Sequence, residues 1–227
     1  MNLLAFDTST ELLTVAVQHG DAVRSIEGEG GPRASTALIP AIQESLAQCG
    51  LGLRELDAIV FGRGPGSFTG LRTACSVAQG MAFGAGVPVL GVETLMAVAE
   101  AARVAHGATQ VVAVLDARMD EIYAATYEIA GAGWQRTGPI QLMKPEALVV
   151  PPGWALAGNA FAAYADRLAS QGPRFPLAPS ARALLQLAPT LIAAGQATAA
   201  AQATPLYIRD KVAQTSEERA AVRAAKG

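Results

Sequence analysis

Three short apolar runs open the chain: residues 2–8 (NLLAFDT), 11–18 (ELLTVAVQ) and 22–27. Gly20-Asp21 between the second and third is a hairpin signal, so the start reads as an antiparallel three-stranded meander. The period then changes. Leu38, Ile39, Ile42, Leu46 and Cys49 recur at helical spacing and predict a helix over 36–49. Pro40 requires that this helix begin close before it or kink there, and Gly50 ends it. The continuous apolar run Leu56 to Phe61 predicts a strand. A GRGPGS loop follows, then a helix from Phe68 to Phe83 capped by Ser67 or Thr69. VPVLGV predicts a further strand, and Thr94 to Val104 a further helix. Residues 73–92 carry no charge, but four glycines and a proline make them a poor membrane span; they read as a buried helix, a turn and a buried strand. Strands alternating with helices after an antiparallel start predict an α/β sheet of mixed direction.

The pattern then restarts. VVAVLD (111–116) resembles residues 2–7: an acidic residue ends the strand, a tight turn follows, and EIYAATYEI returns. Aligning Asp7 with Asp116 puts Glu11 on Asp120. A third strand over Trp134 to Met143 completes a second meander. The strand WALAG, the helix NAFAAYADRLA and the helix SARALLQLAPTLIAAG come next. A boundary near 104–109 divides the chain into units 1–106 and 107–213, and 214–227 form a polar tail, frayed at its end.

The 227 residues are 51% hydrophobic and 16% charged, which argues against disorder over most of the length. Net charge is −2 and Lys144, Lys211 and Lys226 are the only lysines, a poor endowment for gripping nucleic acid unaided. Cys49 and Cys75 are the only cysteines and no basic leader precedes the first strand, pointing to a reduced, cytoplasmic chain without disulfides. His19 and His106, far apart and each beside a glycine, read as loop residues and not as metal ligands.

Two halves that each open with a strand, an Asp-containing turn and a strand follow the plan of the actin-like ATPase and sugar-kinase (ASKHA) superfamily, in which the two turns face a cleft and hold phosphates. In the first turn, Asp7-Thr8-Ser9-Thr10, a carboxylate suits hydrated Mg²⁺, and hydroxyls and N–H groups suit phosphate oxygens. The alternative is a hairpin whose side chains bond their own backbone. The second turn reads Asp116-Ala117-Arg118-Met119. It lacks the glycines that let backbone approach phosphate, and Arg118 carries a long side chain into that space. An adenosine pocket would want a Gly-Gly pair where Ala157-Gly158-Asn159 stands. The nucleotide apparatus therefore reads as vestigial. The segment GRGPGSFTGLR follows a strand and opens a helix, yet fits neither a Walker loop nor a dinucleotide fingerprint. On that helix Gly70, Ala74, Ala78, Ala82 and Gly86 stand four apart, a stripe that allows close helix approach, either within the domain or to another subunit. No Ser-His pair or nucleophile elbow supports nucleophilic catalysis.

LLAFDTSTELLTVAV, GRGPGSFTGLRTACSVAQGMAFG, VLDARMDEIYAATY and PLYIRDKVA closely resemble the TsaB (YeaZ) family over nearly the whole chain, to about residue 213. The resemblance implies a two-lobed, actin-like (ASKHA) α/β fold, each lobe a mixed sheet with helices and the second lobe reduced. It further implies a non-catalytic, cytoplasmic dimerization subunit of the bacterial machinery that transfers a threonylcarbamoyl group to the adenosine beside the anticodon. Its partners would be the catalytic paralogue TsaD and the ATPase TsaE. The tRNA would be met only through the complex, and a homodimer is expected when the chain is alone. ATP and metal are expected only in the partner subunits: the paralogue's His-x-x-x-His motif has no counterpart at Ser35-Thr36-Ala37-Leu38-Ile39-Pro40.

The family's partner surface maps onto the first helix and the helix after GPGSFTG. The implied contact residues are Leu38, Ile42, Leu46, Gly66, Ser67, Phe68, Gly70, Leu71, Ala74, Ala78 and Ala82. On this reading Ala78→Arg breaks the complex and leaves the fold intact. The competing reading is a self-sufficient kinase or metallopeptidase; a tRNA-binding module is disfavoured by the acidic pI.

Overall fold

The computed structural model describes residues 1–209, so the expected tail lies outside the described residues. The opening meander is β1 (Asn2–Asp7), β2 (Leu12–His19) and β3 (Ala22–Glu29), paired antiparallel. The helix α1 (Ala34–Cys49) follows, with Pro40 inside it and Gly50 ending it in the left-handed conformation. Then come β4 (Ala58–Gly64), α2 (Phe68–Ala85), β5 (Val89–Glu93) and α3 (Thr94–His106). Ser67 caps α2, as the sequence predicts, by accepting from the Gly70 N–H. His19 and His106 end a strand and a helix and are not loop residues; the His106 ring stacks on Phe175 at 3.9 Å. Among the described residues no helix is long and apolar enough to cross a membrane.

The second half repeats the plan with β6 (Gln110–Arg118), β7 (Glu121–Ala130), β8 (Gly133–Arg136), β9 (Gln141–Met143), β10 (Ala155–Gly158), α4 (Phe161–Tyr164), β11 (Arg174–Pro176) and α5 (Ala181–Ala193). The expected third strand over 134–143 is two strands, because Gly138-Pro139 interrupts the ladder; both pair with β7. The expected helix over 159–169 is the single turn α4. The two sheets share one order: β3-β2-β1-β4-β5 in the first and β11-β10-β6-β7-β8 in the second, with β4, β5, β10 and β11 parallel to their neighbours. These are the two actin-like lobes. In the second, a single 3₁₀ turn at Pro145–Ala147 stands where the first carries α1.

Alternation along the central strands needs an apolar layer on each face. Leu4, Phe6, Ile59 and Phe61 point to a cluster with Leu38, Ile42 and Leu46 of α1 and Ala74, Ala78 and Ala82 of α2. Leu3, Ala5, Ala58 and Val60 point the other way and meet Ala181, Leu184 and Ala188 of α5. Conversely, Leu95, Val98, Ala99 and Ala102 of α3 pack on Val111, Ala113 and Leu115 of the second sheet. The chain changes sheet at residue 107, but the helix before it serves mainly the second sheet and the last helix serves the first. The unit 107–213 expected from sequence is therefore not self-contained.

The β6–β7 turn is strained. Arg118, Met119 and Asp120 all have positive φ (59°, 55° and 64°), which glycine or asparagine adopts at less cost. Met119 is exposed, so Met119→Gly relieves strain without opening a cavity. It should stabilise the chain by about 1 kcal/mol, a rise of about 2–4 °C in Tm by calorimetry.

The stripe on α2 packs within this chain. Gly70 and Leu71 are buried with Ala74, Ala78 and Ala82, and Ala78 has no exposed surface at all. The expectation that Ala78→Arg spares the fold is corrected on that ground. An arginine there places a charge against Phe6 and Phe61, at a cost of several kcal/mol. Ala78→Arg is expected to lower Tm on the order of 10 °C or to prevent folding, read by circular dichroism.

Candidate functional site

The two Asp-containing turns face one cleft of about 280 Å³ between the lobes, as the actin-like plan requires. Its walls include Thr10 and Glu11 from the first turn, Asp116 and Arg118 from the second, and Pro65 to Phe68 from the loop before α2. The first turn is closed. Asp7, Thr8 and Ser9 are at most 2% exposed. Ser9 donates from its N–H (2.8 Å) and its hydroxyl (2.6 Å) to Asp7 Oδ1, and the Thr8 hydroxyl donates to the Gly70 carbonyl (2.8 Å). The N–H of Ser67 donates to the Ser9 carbonyl (2.7 Å). The GPGSFTG segment thus lies directly over the turn. A Cβ at Gly70 would fall on the Thr8 carbonyl and one at Gly62 on the Asp7 carboxylate, so both close approaches need glycine. Burial pushes the Asp7 pKa up more than the Ser9 hydrogen bonds draw it down, and Asp7 Oδ2 has no partner among the described residues. Thr10, half-buried, lines the cleft, and its hydroxyl oxygen accepts from the Leu12 N–H (3.2 Å). Of the two readings of this turn, the self-bonded one holds for Asp7 and Ser9, while the Thr8 hydroxyl bonds the backbone of α2, so all three side chains are engaged within the chain.

The second turn is filled from within the chain. Asp116 Oδ1 accepts from the Arg118 N–H (2.7 Å) and the Tyr164 hydroxyl (3.1 Å), and Oδ2 pairs with the Arg118 guanidinium (3.1 Å). The same guanidinium reaches across the cleft to Glu11. Of the acids near Arg118 in sequence, Asp116 is its partner, while Asp120 pairs with Lys144 and Arg167 and Glu121 with Arg209. Asn159, in the segment that lacks a Gly-Gly pair, takes the Asp116 N–H on its side-chain oxygen (3.0 Å).

The contact residues implied by resemblance separate into two groups. Leu38, Ile42, Leu46, Gly70, Ala74, Ala78 and Ala82 are buried on the inner faces of α1 and α2, and Leu71, also buried, borders the cleft. Gly66, Ser67 and Phe68 lie at the cleft, at the N-terminal end of α2. The outward face of the same two helices carries other residues: Ile39 (42% exposed) and Gln43 on α1, and Ser76, Gly80 and Phe83 on α2, with Phe83 84% exposed. Sequence reasoning missed them because the strongest periodic signal marks the core-facing stripe. The available signal was Phe83 itself, an aromatic residue on the polar side of its helix.

Comparison with known proteins is consistent along the chain. The family model for TsaD, tRNA N6-adenosine threonylcarbamoyltransferase, matches residues 32–226. The chain is 36% identical to the tRNA threonylcarbamoyladenosine biosynthesis protein TsaB of Escherichia coli, over 94% of this chain and 96% of that protein. It is 34% identical to the TsaB of Haemophilus influenzae, over 93% and 95%. The solved structure of YeaZ from Pseudomonas aeruginosa superimposes with a TM-score of 0.85 at 37% identity, covering 91% of this chain and 99% of that one. With the two lobes, the paired turns and the loop that closes the first of them all in place, the chain belongs to the TsaB (YeaZ) family.

Proposed function

We propose that this chain serves tRNA threonylcarbamoyladenosine biosynthesis in the cytoplasm as a non-catalytic scaffold, holding a TsaD-type catalytic subunit. The biosynthetic role rests on relatives named for it at 34–36% identity over nearly the whole chain. The non-catalytic role rests on one observation: both turns that face the cleft are filled by this chain's own groups, the first by the backbone of GPGSFTG and the second by Arg118 and Tyr164. Chemistry and its cofactors, ATP and a metal ion, then reside in the partners. A TsaE-type ATPase joins the assembly, and tRNA is met only through it.

The partner surface on this reading is the outward face of α1 and α2. Ile39 and Phe83 supply apolar area, and Gly80 leaves space for close approach of a facing helix. Without a partner the same face meets its own copy, giving homodimers at high concentration.

The test is Gly80→Arg. A Cβ at Gly80 meets nothing within 4 Å, so the fold is retained, and replacing a helical glycine adds about 0.5–1 kcal/mol of stability. Capture of the TsaD-type partner by a tagged chain should fall at least about tenfold, corresponding to a loss of about 1.4 kcal/mol or more. Undiminished capture by a folded Gly80→Arg chain would move the interface elsewhere.

Calorimetry of the isolated chain with ATP and Mg²⁺ should give a dissociation constant no tighter than about 1 mM. Low-micromolar binding would restore the kinase reading.

A further inference from the structure

Residues 203–209 cross from the first lobe to the second over the cleft, and each step of the crossing has a seat. The Ala203 carbonyl accepts from Gln79 Nε2 (2.9 Å) and Cys75 Sγ (3.5 Å) on α2. The Leu206 N–H donates to the Arg63 carbonyl (2.7 Å) at the end of β4. The Leu206 carbonyl lies so near Gly64, whose φ is +117°, that a Cβ there would stand 2.6 Å from it. The Tyr207 ring packs 5.3 Å from that of Phe68, and its hydroxyl accepts from Arg72 Nε (3.0 Å). Ile208 then joins the core of the second lobe. Arg209, its side chain 13% exposed, donates to the Ala117 carbonyl (3.0 Å) and pairs with Glu121 (2.9 Å).

The other ties between the lobes differ in strength and place. At the rear, Glu93 accepts from the Tyr127 hydroxyl (2.8 Å) and pairs with Arg136 (3.2 Å), and Glu100 accepts from Trp134 Nε1 (2.8 Å); all are buried or partly buried. At the front, the Glu11–Arg118 pair is about two-thirds exposed on both sides. An exposed pair of this kind contributes less than about 1 kcal/mol. The front of the cleft is therefore closed chiefly by residues 203–209, whose last four residues are also one of its walls.

We propose that residues 203–209 are a strap that holds the second turn against the first lobe, and that its release opens the cleft at the front while α3 and α5 hold the rear. Docked, the strap limits access to Thr10, Asp116 and Asn159 to molecules that fit about 280 Å³. Released, it uncovers Phe68, Leu71, Leu115 and Tyr123, the apolar lining of the cleft.

Hydrogen exchange by mass spectrometry on the full chain tests this, with Arg209→Ala at the strap's anchor on the second lobe and Tyr207→Ala at an anchor on the first. Each should speed exchange of residues 116–121 about tenfold or more and leave β1 and β4 at their original rates, because a local opening replaces none of the core. The dye ANS should bind more strongly to both variants. Arg209→Lys, which keeps a charge for Glu121 but loses the guanidinium fork to the backbone, should fall between. Unchanged exchange at 116–121 in either folded variant overturns the proposal. So does an equal rise throughout both sheets, and so does failure of both variants to fold, since the strap would then be part of the core.

Discussion

The structure depends on an exchange of helices. The first half of the chain makes a five-stranded sheet and the second a six-stranded one, and neither half covers its own rear face alone. α3 leaves the first lobe and packs Leu95, Val98 and Ala102 on the second sheet; α5 leaves the second lobe and packs Ala181, Leu184 and Ala188 on the first. Small residues make this fit. Ala5, Ala16 and Ala58 keep that face of the first sheet shallow, so α5 lies close against it. A polar contact sets its entry: the buried Thr14 hydroxyl oxygen on β2 accepts from the Ala181 N–H (2.9 Å), an orphan donor of the first helical turn. Neither lobe can be removed without stripping a sheet of part of its cover.

With the rear fixed in this way, the front of the cleft decides what the chain can do. Phosphate chemistry at paired turns requires backbone donors with nothing in front of them. Here the segment that makes the capped start of α2 is carried over the first turn, and its glycines allow a contact so close that Asp7, Thr8 and Ser9 become interior residues. The second turn keeps the positive-φ backbone that a glycine pair would adopt, yet bears Arg118 and Met119. Arg118 supplies a tethered positive charge between Asp116 and Glu11. The charges that face one another across the cleft are thus paired within the chain.

That surface follows from packing. Leu38, Ile42 and Leu46 of α1 and the alanine stripe of α2 are committed to the first sheet, so what α1 and α2 show to the outside is the complementary set, including Ile39, Gly80 and Phe83. An interface built on these residues stands on two helices whose inner faces are anchored in the core, and the platform is rigid for that reason.

By itself the sequence determined the elements of the first lobe almost to the residue, the repetition of its plan in the second, and the family. Apolar period, Gly50 as a stop, Ser67 as a cap and the missing glycines at 118 and 119 are local signals, and local physics makes them legible. It also carried the absence of glycine from the second turn, because a long side chain in place of glycine is a local fact. Only the tertiary structure decided which way the helices face. A stripe of small residues allows close approach to any partner, and nothing along the chain distinguishes this chain's own sheet from another subunit; Ala78 is a core residue because the fold lays α2 on the first sheet, in one apolar cluster with Phe6 and Phe61. The same holds for α3 and α5, whose amphipathic patterns do not name the sheet they cover. It holds also for Glu11, Tyr207 and Arg209, whose places at the cleft rest on pairings that span up to 135 residues, as between Arg72 and Tyr207. Periodicity fixes the face that is buried; the burying partner is a long-range choice made by the fold as a whole.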